Sequence, residues 1–147
     1  MSISKLAIAS EYLTRAIELY FRGNSYCSAL HLAGAAQELL GKFVERSGGV
    51  SAHTSLARGA ARISGFLDPH GVPSTEREMK DIINRAKNRV KHMNAAGDDV
   101  IEFDPQTYAR EMLDLAVSEF YQLWGDGAEL EMSDEIERYN RYQVERC

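Results

Sequence analysis

Apolar residues recur at helical spacing along most of the chain, and they mark residues 25–46 as its central helix. Apolar side chains cover most of the circumference of this segment, as expected for a helix surrounded by other helices in a bundle. One narrow stripe differs, with small, polar or charged residues at intervals of three and four: Cys27, His31, Gly34, Glu38, Gly41 and Glu45. We expect Glu38 to be buried along this stripe, and Cys27 to be buried as a small hydrophobic residue.

The same spacing predicts five further helices. They span residues 4–22, 54–66, 76–94, 105–124 and 134–146. The helix over 54–66 contains two glycines, which weaken it. Thr75 and Glu78 form a capping box before the next helix, and Asp104 followed by proline is a strong start signal for the fifth.

An all-α fold follows, an antiparallel bundle of four main helices with a short third helix and a C-terminal helix. The apolar side predicted for the fourth helix is formed by Met79, Ile82, Ile83, Ala86, Val90 and Met93. We expect residues 1–127 to form the bundle. Residues 128–147 then form an acidic segment and a helix that either belongs to the same domain or acts as a dimer arm.

The composition is typical of one soluble domain. With 147 residues, 44% of them hydrophobic, the chain can bury one self-sufficient core. It contains no run of about 18 apolar residues and no pattern of a secretion signal, so we expect a cytoplasmic protein without membrane contact. Its two cysteines supply neither a disulfide framework nor a metal-binding pair.

Charge is unevenly distributed along the chain. The net charge of −5 argues against a protein that coats nucleic acid indiscriminately, because such binding rests on phosphate neutralisation. Residues 80–92 nevertheless contain five cations and one acid, whereas residues 126–137 contain six acids and no cation. We expect a local basic surface formed by the fourth helix, which the acidic segment is able to cover.

Within this basic stretch, Arg85 and His92 are seven residues apart and nearly aligned on one helix face. A histidine can accept the proton of a ribose 2′-hydroxyl while an arginine stabilises charge on phosphate oxygens. This pair therefore suits cleavage of a phosphodiester without a metal. A solvated helix rich in Lys and Arg, with one histidine on it, explains the same pattern without chemistry.

The arrangement resembles the HEPN superfamily, the higher eukaryotes and prokaryotes nucleotide-binding domain. That family is marked by an Arg, four to six intervening residues and a His late in a helical bundle. Arg85 and His92, with six residues between them, fit the outer limit of the motif. The segment Ser28–Lys42 is similar to the second helix of the family, and the resemblance covers roughly residues 5–124 in helix order.

The resemblance implies a homodimer in which the Arg and His of both subunits line a shared cleft. Active members cut RNA without metal, and other members only bind partners. A polar residue directly follows the Arg in many active members, whereas here Ala86 does, and Asn88 is the polar residue available for that place. The predicted catalytic residues are Arg85, Asn88, His92 and Glu38, and the predicted RNA-binding residues are Lys87, Arg89 and Lys91.

Glu38 has two further interpretations. A buried carboxylate needs a counterpart, and the fourth helix offers cations for a purely structural ion pair. A metal site would combine His31 and Glu38 with Asp98, Asp99 or His92, but the Glu-x-x-His pattern of iron-binding bundles is missing from the sequence. We therefore predict no metal and no cofactor.

Two functions remain as hypotheses. The first is a HEPN-like domain that binds or cleaves RNA, as a metal-independent endoribonuclease of a defence or toxin type. The second is a non-catalytic helical interaction module, in which the polar stripe forms an ion-pair network at a dimer interface. They differ in whether Arg85 and His92 line an open cleft or are tied to Glu38.

Overall fold

The computed structural model describes residues 1–147 and contains six helices and no strand, which confirms the predicted all-α fold. The helices are α1 (Lys5–Arg22), α2 (Tyr26–Arg46), α3 (Ala52–Leu67), α4 (Glu76–Arg89), α5 (Pro105–Gly125) and α6 (Asp134–Arg146). No helix combines the length and the apolar character that a membrane span requires.

Helix α2 lies at the centre, as predicted, and packs most extensively on α5 and on α1. A three-residue connection joins α1 to α2 as a hairpin, and Gly23 adopts the left-handed conformation that ends α1. The core is formed by small and branched side chains from these three helices, which are alanines, leucines and valines for the most part. Helix α4 touches α2 over a short stretch, and α3 packs on α4 and α5.

Helix α3 is longer than predicted and begins two residues earlier, because its N-terminus is capped from several directions. The Ser51 hydroxyl accepts a hydrogen bond from the Thr54 N–H at 3.1 Å. Carboxylates of two other helices also reach this end, since Glu45 accepts from the Thr54 hydroxyl and Glu119 accepts from the His53 N–H. These acceptors satisfy donors that a helix N-terminus otherwise leaves unpaired.

Helix α4 is shorter than predicted, since it ends at Arg89 rather than at residue 94. The predicted capping box at its start is present, with both the Thr75 and the Glu78 hydrogen bonds formed. At the other end, the Asp98 carboxylate accepts hydrogen bonds from the backbone N–H groups of Asn94 and Ala95 at 3.0 Å. These bonds stabilise a turn in place of further helix.

The predicted apolar side of α4 is only partly buried, since two of its six residues are exposed and three are half-buried. Ile82 and Met93 lie at the surface, and the only buried residues of α4 are Ala86 and Lys87. The helix packs on α3 and touches α2 only over a short stretch, where Gly34 leaves room for the Lys87 side chain. Most of the α4 surface is therefore left uncovered by other helices.

Helix α6 contributes Ile136 and Tyr139 to the same core as α1, α2 and α5. The acidic segment before it runs along α1, where the Ser133 and Thr14 hydroxyls are hydrogen-bonded at 2.8 Å. Glu129 and Glu131 lie beside α1 in a surface depression. The expectation that this segment covers the basic surface is wrong, because its apolar residues anchor it on another side of the bundle.

Candidate functional site

The open faces of α4 border two cavities, and the smaller one, of about 420 Å³, contains the predicted Arg and His. It lies between the C-terminal half of α4 and the following loop, which reaches back over residues 94–101. Four predicted site residues line it together: Arg85, Asn88, Arg89 and His92. We call it the polar cavity.

Helical geometry brings these side chains together. Arg85, Asn88 and Arg89 are spaced by three and four residues on α4, so they share one face. His92 lies beyond the last residue of α4, but its N–H still donates to the Asn88 carbonyl at 3.1 Å. That bond continues the helical turn for one more step and keeps His92 on the side of the polar cavity.

The cations of this region are available to a ligand. Arg85, Arg89 and Lys91 are exposed, and none of them takes part in an ion pair within the chain. Asp81 and Asp98 also line the polar cavity, so it combines cations, amide groups and a histidine with two acids. Such a set of donors suits a single phosphate group better than a long anionic surface.

Lys87 and Glu38 lie elsewhere, and both predictions for them need correction. Lys87 is only 4% exposed and faces α2, about 200° around α4 from Arg85. Glu38 is 53% exposed rather than buried, and its Oε2 lies 3.8 Å from the Lys87 Nζ. The pair therefore joins α2 to α4, whereas Glu38 lines neither the polar cavity nor its rim. The Glu38 carboxylate remains at the surface, whereas the Lys87 side chain is buried and its stem fills the space beside Gly34.

The buried carboxylate of the bundle is Glu119 on α5, which was not among the predicted site residues. It is 0% exposed. Its Oε1 accepts from the Gln37 side-chain amide at 3.1 Å and from the His53 N–H at 3.2 Å. Gly41 lies against it, since a Cβ there would be 3.3 Å from both carboxylate oxygens. Glu119 therefore links α5 to α2 and to the N-terminus of α3.

Burial shifts the protonation of this cluster. It raises the pKa of Glu119 to about 7, although the His53 and Gln37 donors favour the charged form. Burial also lowers the pKa of Lys87, against the attraction of Glu38. His53, whose Nε2 lies 3.1 Å from Asn84 Oδ1, has its pKa lowered by burial as well. Glu119, His53 and Lys87 line neither of the two cavities that α4 borders, and only Asn84, the partner of His53, lines the polar cavity.

The second cavity is a groove of about 1020 Å³ between α4 and α5. Its α4 wall is formed by Ile82, Ala86 and the two arginines of the polar cavity, and Tyr108 and Glu111 stand on its α5 wall. We call it the apolar groove. The spacing of Tyr108, Glu111 and Leu115 on one face of α5 is the signal in the sequence for this second wall, but the spacing does not show that α4 lies opposite it.

Other predicted chemistry does not assemble in this chain. Cys27 and His31 are exposed, so the expectation that Cys27 is buried is wrong. His31 and Glu38 are not brought together with Asp98, Asp99 or His92, and no group of three or more His, Cys, Asp or Glu side chains is arranged to hold a metal ion.

No protein-family model, curated protein or solved structure matches this chain.

Proposed function

We propose that the protein is a HEPN-like domain that binds RNA in the polar cavity and cleaves it without a metal ion. The observation that supports this proposal is that Arg85, Asn88 and His92 line one open cavity. A purely structural ion-pair network would pair Arg85 and His92 with Glu38. Neither of them is paired with Glu38 within the chain, because Glu38 pairs with Lys87. Incubation of the protein with RNA in a chelator tests the proposal, with His92→Ala as the control.

In the proposed reaction, the ribose 2′-oxygen attacks the adjacent phosphorus and the 5′-oxygen leaves. His92 takes the proton of the 2′-hydroxyl as general base, and the leaving 5′-oxygen takes a proton from water. Arg85 stabilises the charge that accumulates on the phosphorus oxygens, and the Asn88 amide donates to the same group. The products are a fragment with a 2′,3′-cyclic phosphate and a fragment with a 5′-hydroxyl.

Binding should depend on salt through the free cations. Each phosphate contact to single-stranded RNA contributes a slope of about −0.7 to log affinity against log salt. We expect Arg89→Ala and Lys91→Ala each to reduce the slope by about this amount, as measured by fluorescence anisotropy with uncleavable RNA. Lys5→Ala, which changes an exposed cation that lines neither cavity, is the matched control. Equal slopes for all variants would contradict phosphate contacts at the end of α4.

Lys87 is no longer assigned to phosphate binding, because its ammonium group is buried between α2 and α4. Arg85 takes its place among the proposed RNA-contacting cations, because Arg85 is exposed and lines the polar cavity. The proposed RNA-binding cations are therefore Arg85, Arg89 and Lys91.

We also propose that the chain forms a homodimer. Large apolar side chains stand exposed near the C-terminal end of α3, where Phe66 is 83% exposed and Ile63 and Leu67 are also open. Contiguous exposed apolar residues of this size commonly mark an interaction surface. The sequence predicts a dimer contact formed chiefly by the second and fourth helices; we propose this surface of α3 instead, because α1 and α5 cover most of α2.

Light scattering at micromolar concentration should therefore give roughly twice 16.5 kDa. Phe66→Glu should shift the mass to that of one chain, because a carboxylate in an apolar contact is costly. A monomeric wild-type protein would contradict the dimer. If a dimer forms but RNA neither binds nor is cut, the interaction-module function takes the place of the RNA function.

A further inference from the structure

The polar cavity and the apolar groove meet at α4. Arg85 and Arg89 line both of them, so these two guanidinium groups lie at the boundary. A ligand whose phosphate is held by these arginines has its adjoining parts directed either along the polar cavity or into the apolar groove. For RNA, the part next to a phosphate is a ribose and its base.

The α5 wall of the groove carries carboxylates in two different situations. Asp104 caps α5 by accepting from the Gln106 and Thr107 N–H groups, and Asp114 is bound by a tyrosine and an arginine of α6. Glu102 and Glu111, in contrast, are exposed and accept no hydrogen bond from the protein. The groove therefore has cations on the α4 side and unoccupied carboxylate acceptors on the α5 side.

Tyr108 precedes Glu111 by three residues on α5, so the two side chains are neighbours on one helix face. Tyr108 is 39% exposed, and its ring packs on Phe103 with 5.7 Å between centroids. The contact with Phe103 holds the Tyr108 ring beside the groove. A fixed and accessible aromatic ring is what an unpaired base stacks on in single-stranded nucleic acid complexes.

We propose that the apolar groove is a guanine-binding subsite, with Tyr108 stacking on the base and Glu111 accepting its N1–H and N2–H groups. Guanine presents these two donors side by side, which matches the two oxygens of one carboxylate. Arg85 and Arg89 hold the adjoining phosphate at the boundary with the polar cavity. This inference rests on the proposed RNA-binding function and adds a base preference to it.

The opposite polarity of the two walls favours a nucleotide over an apolar helix of another protein. A nucleotide has an anionic end, a planar apolar body and an edge of N–H donors, and the groove lining includes arginines, a tyrosine and a carboxylate that suit these three parts. An apolar helix face would leave the arginines of the α4 wall and the carboxylates of the α5 wall without partners.

The test uses pentanucleotides in which fluorine replaces every 2′-hydroxyl, so that they cannot be cleaved. Four positions are uridine, and the central nucleoside is guanosine, inosine or uridine. Inosine keeps the shape of guanine but lacks the N2 amino group. Affinities are measured by fluorescence anisotropy for the wild type, Glu111→Gln, Tyr108→Ala and Glu11→Gln. Glu11 is an exposed acid in the depression beside α1 and serves as the matched control.

We expect inosine to weaken binding to the wild type about tenfold, because one hydrogen bond to a charged acceptor is lost. Glu111→Gln should bind the guanine and inosine pentanucleotides with nearly equal affinity, whereas Glu11→Gln should keep the ratio of about ten between these two affinities. Tyr108→Ala should weaken binding of all three pentanucleotides about tenfold through lost stacking. Light scattering of the same variants should show no change of mass.

Four results would overturn the subsite. Equal wild-type affinities for guanine and inosine, or a ratio retained in Glu111→Gln, would remove the subsite and leave the RNA function standing. A change of oligomeric mass in Tyr108→Ala with unchanged affinities would assign the groove to a second copy of the chain. Failure of every pentanucleotide to bind at low salt would overturn the RNA function together with the subsite.

Discussion

Replacing Glu119 with glutamine is expected to remove most of the fall in stability that the wild-type protein shows as pH rises from about 5 to 8. Burial raises the pKa of Glu119 to about 7 from a model-compound value of 4.5. Between pH 4.5 and about 7, Glu119 is therefore protonated in the folded state and ionised in the unfolded state. Stability is greatest below pH 4.5 and declines as pH rises through 7, by about 3 kcal/mol for this group alone.

Glutamine keeps the shape of Glu119 without the charge. Its carbonyl can accept from the His53 N–H, and the Gln37 amide can turn to accept from the new NH₂ group. The charged and titratable neighbours are Glu45 on α2, His53 on α3 and Lys87 on α4, and each contributes its own pH dependence. The difference between the wild type and Glu119→Gln cancels most of these contributions.

The measurement is urea denaturation at pH 5 and pH 8 for the wild type, Glu119→Gln and the surface control Glu11→Gln. The free energy of unfolding of Glu119→Gln minus that of the wild type is expected to be about 2–3 kcal/mol larger at pH 8 than at pH 5. Parallel pH profiles for the two proteins would show that Glu119 is not buried in the way described. Glu119→Ala should lower stability by about 2–5 kcal/mol, because it leaves the Gln37 and His53 donors unpaired.

The second large effect is expected on catalysis. His92→Ala should lower the rate of RNA cleavage by about 10²–10⁴-fold, the usual contribution of a general base. Binding of uncleavable RNA should remain nearly unchanged, because His92 acts on the 2′-hydroxyl in the transition state. Arg85→Ala should weaken both binding and cleavage, since Arg85 contacts the phosphate in both states.

His70→Ala is the matched control for this comparison. His70 lies in the exposed loop between α3 and α4 and lines neither cavity. Single-turnover rates on a labelled single-stranded RNA, together with anisotropy on its 2′-fluoro analogue, separate the two effects. Equal rates for the wild type and His92→Ala would remove His92 from the mechanism.

Most of the fold was predictable because its signals are local. Hydrophobic spacing located all six helices, and Thr75 and Asp104 cap the helices that they were predicted to start. The ends of α3 and α4 were not predictable, since they depend on contacts across the chain. Helix α3 starts early because carboxylates from α2 and α5 reach it, and α4 ends early at the turn that Asp98 stabilises.

The site was predictable only where its residues lie on one helix. Arg85, Asn88 and His92 share the face that their spacing indicates. Gln37, and not Glu38 as predicted, is buried against α5. A rotation of 100° separates adjacent residues, and the stripe alone does not say which of them faces α5. Glu119 lies at helical spacing on the inner side of α5, a signal that was present but that identifies no partner.

The cleavage reaction itself provides the most direct test. Purified wild-type protein is incubated with a labelled, mixed-sequence single-stranded RNA in EDTA at low salt, beside His92→Ala purified in the same way. We predict that the wild type cuts this RNA, that every cut leaves a 2′,3′-cyclic phosphate and a 5′-hydroxyl by mass spectrometry, and that His92→Ala leaves the RNA intact. Intact RNA after incubation with folded wild-type protein, or the same cuts with His92→Ala, would contradict cleavage by this domain.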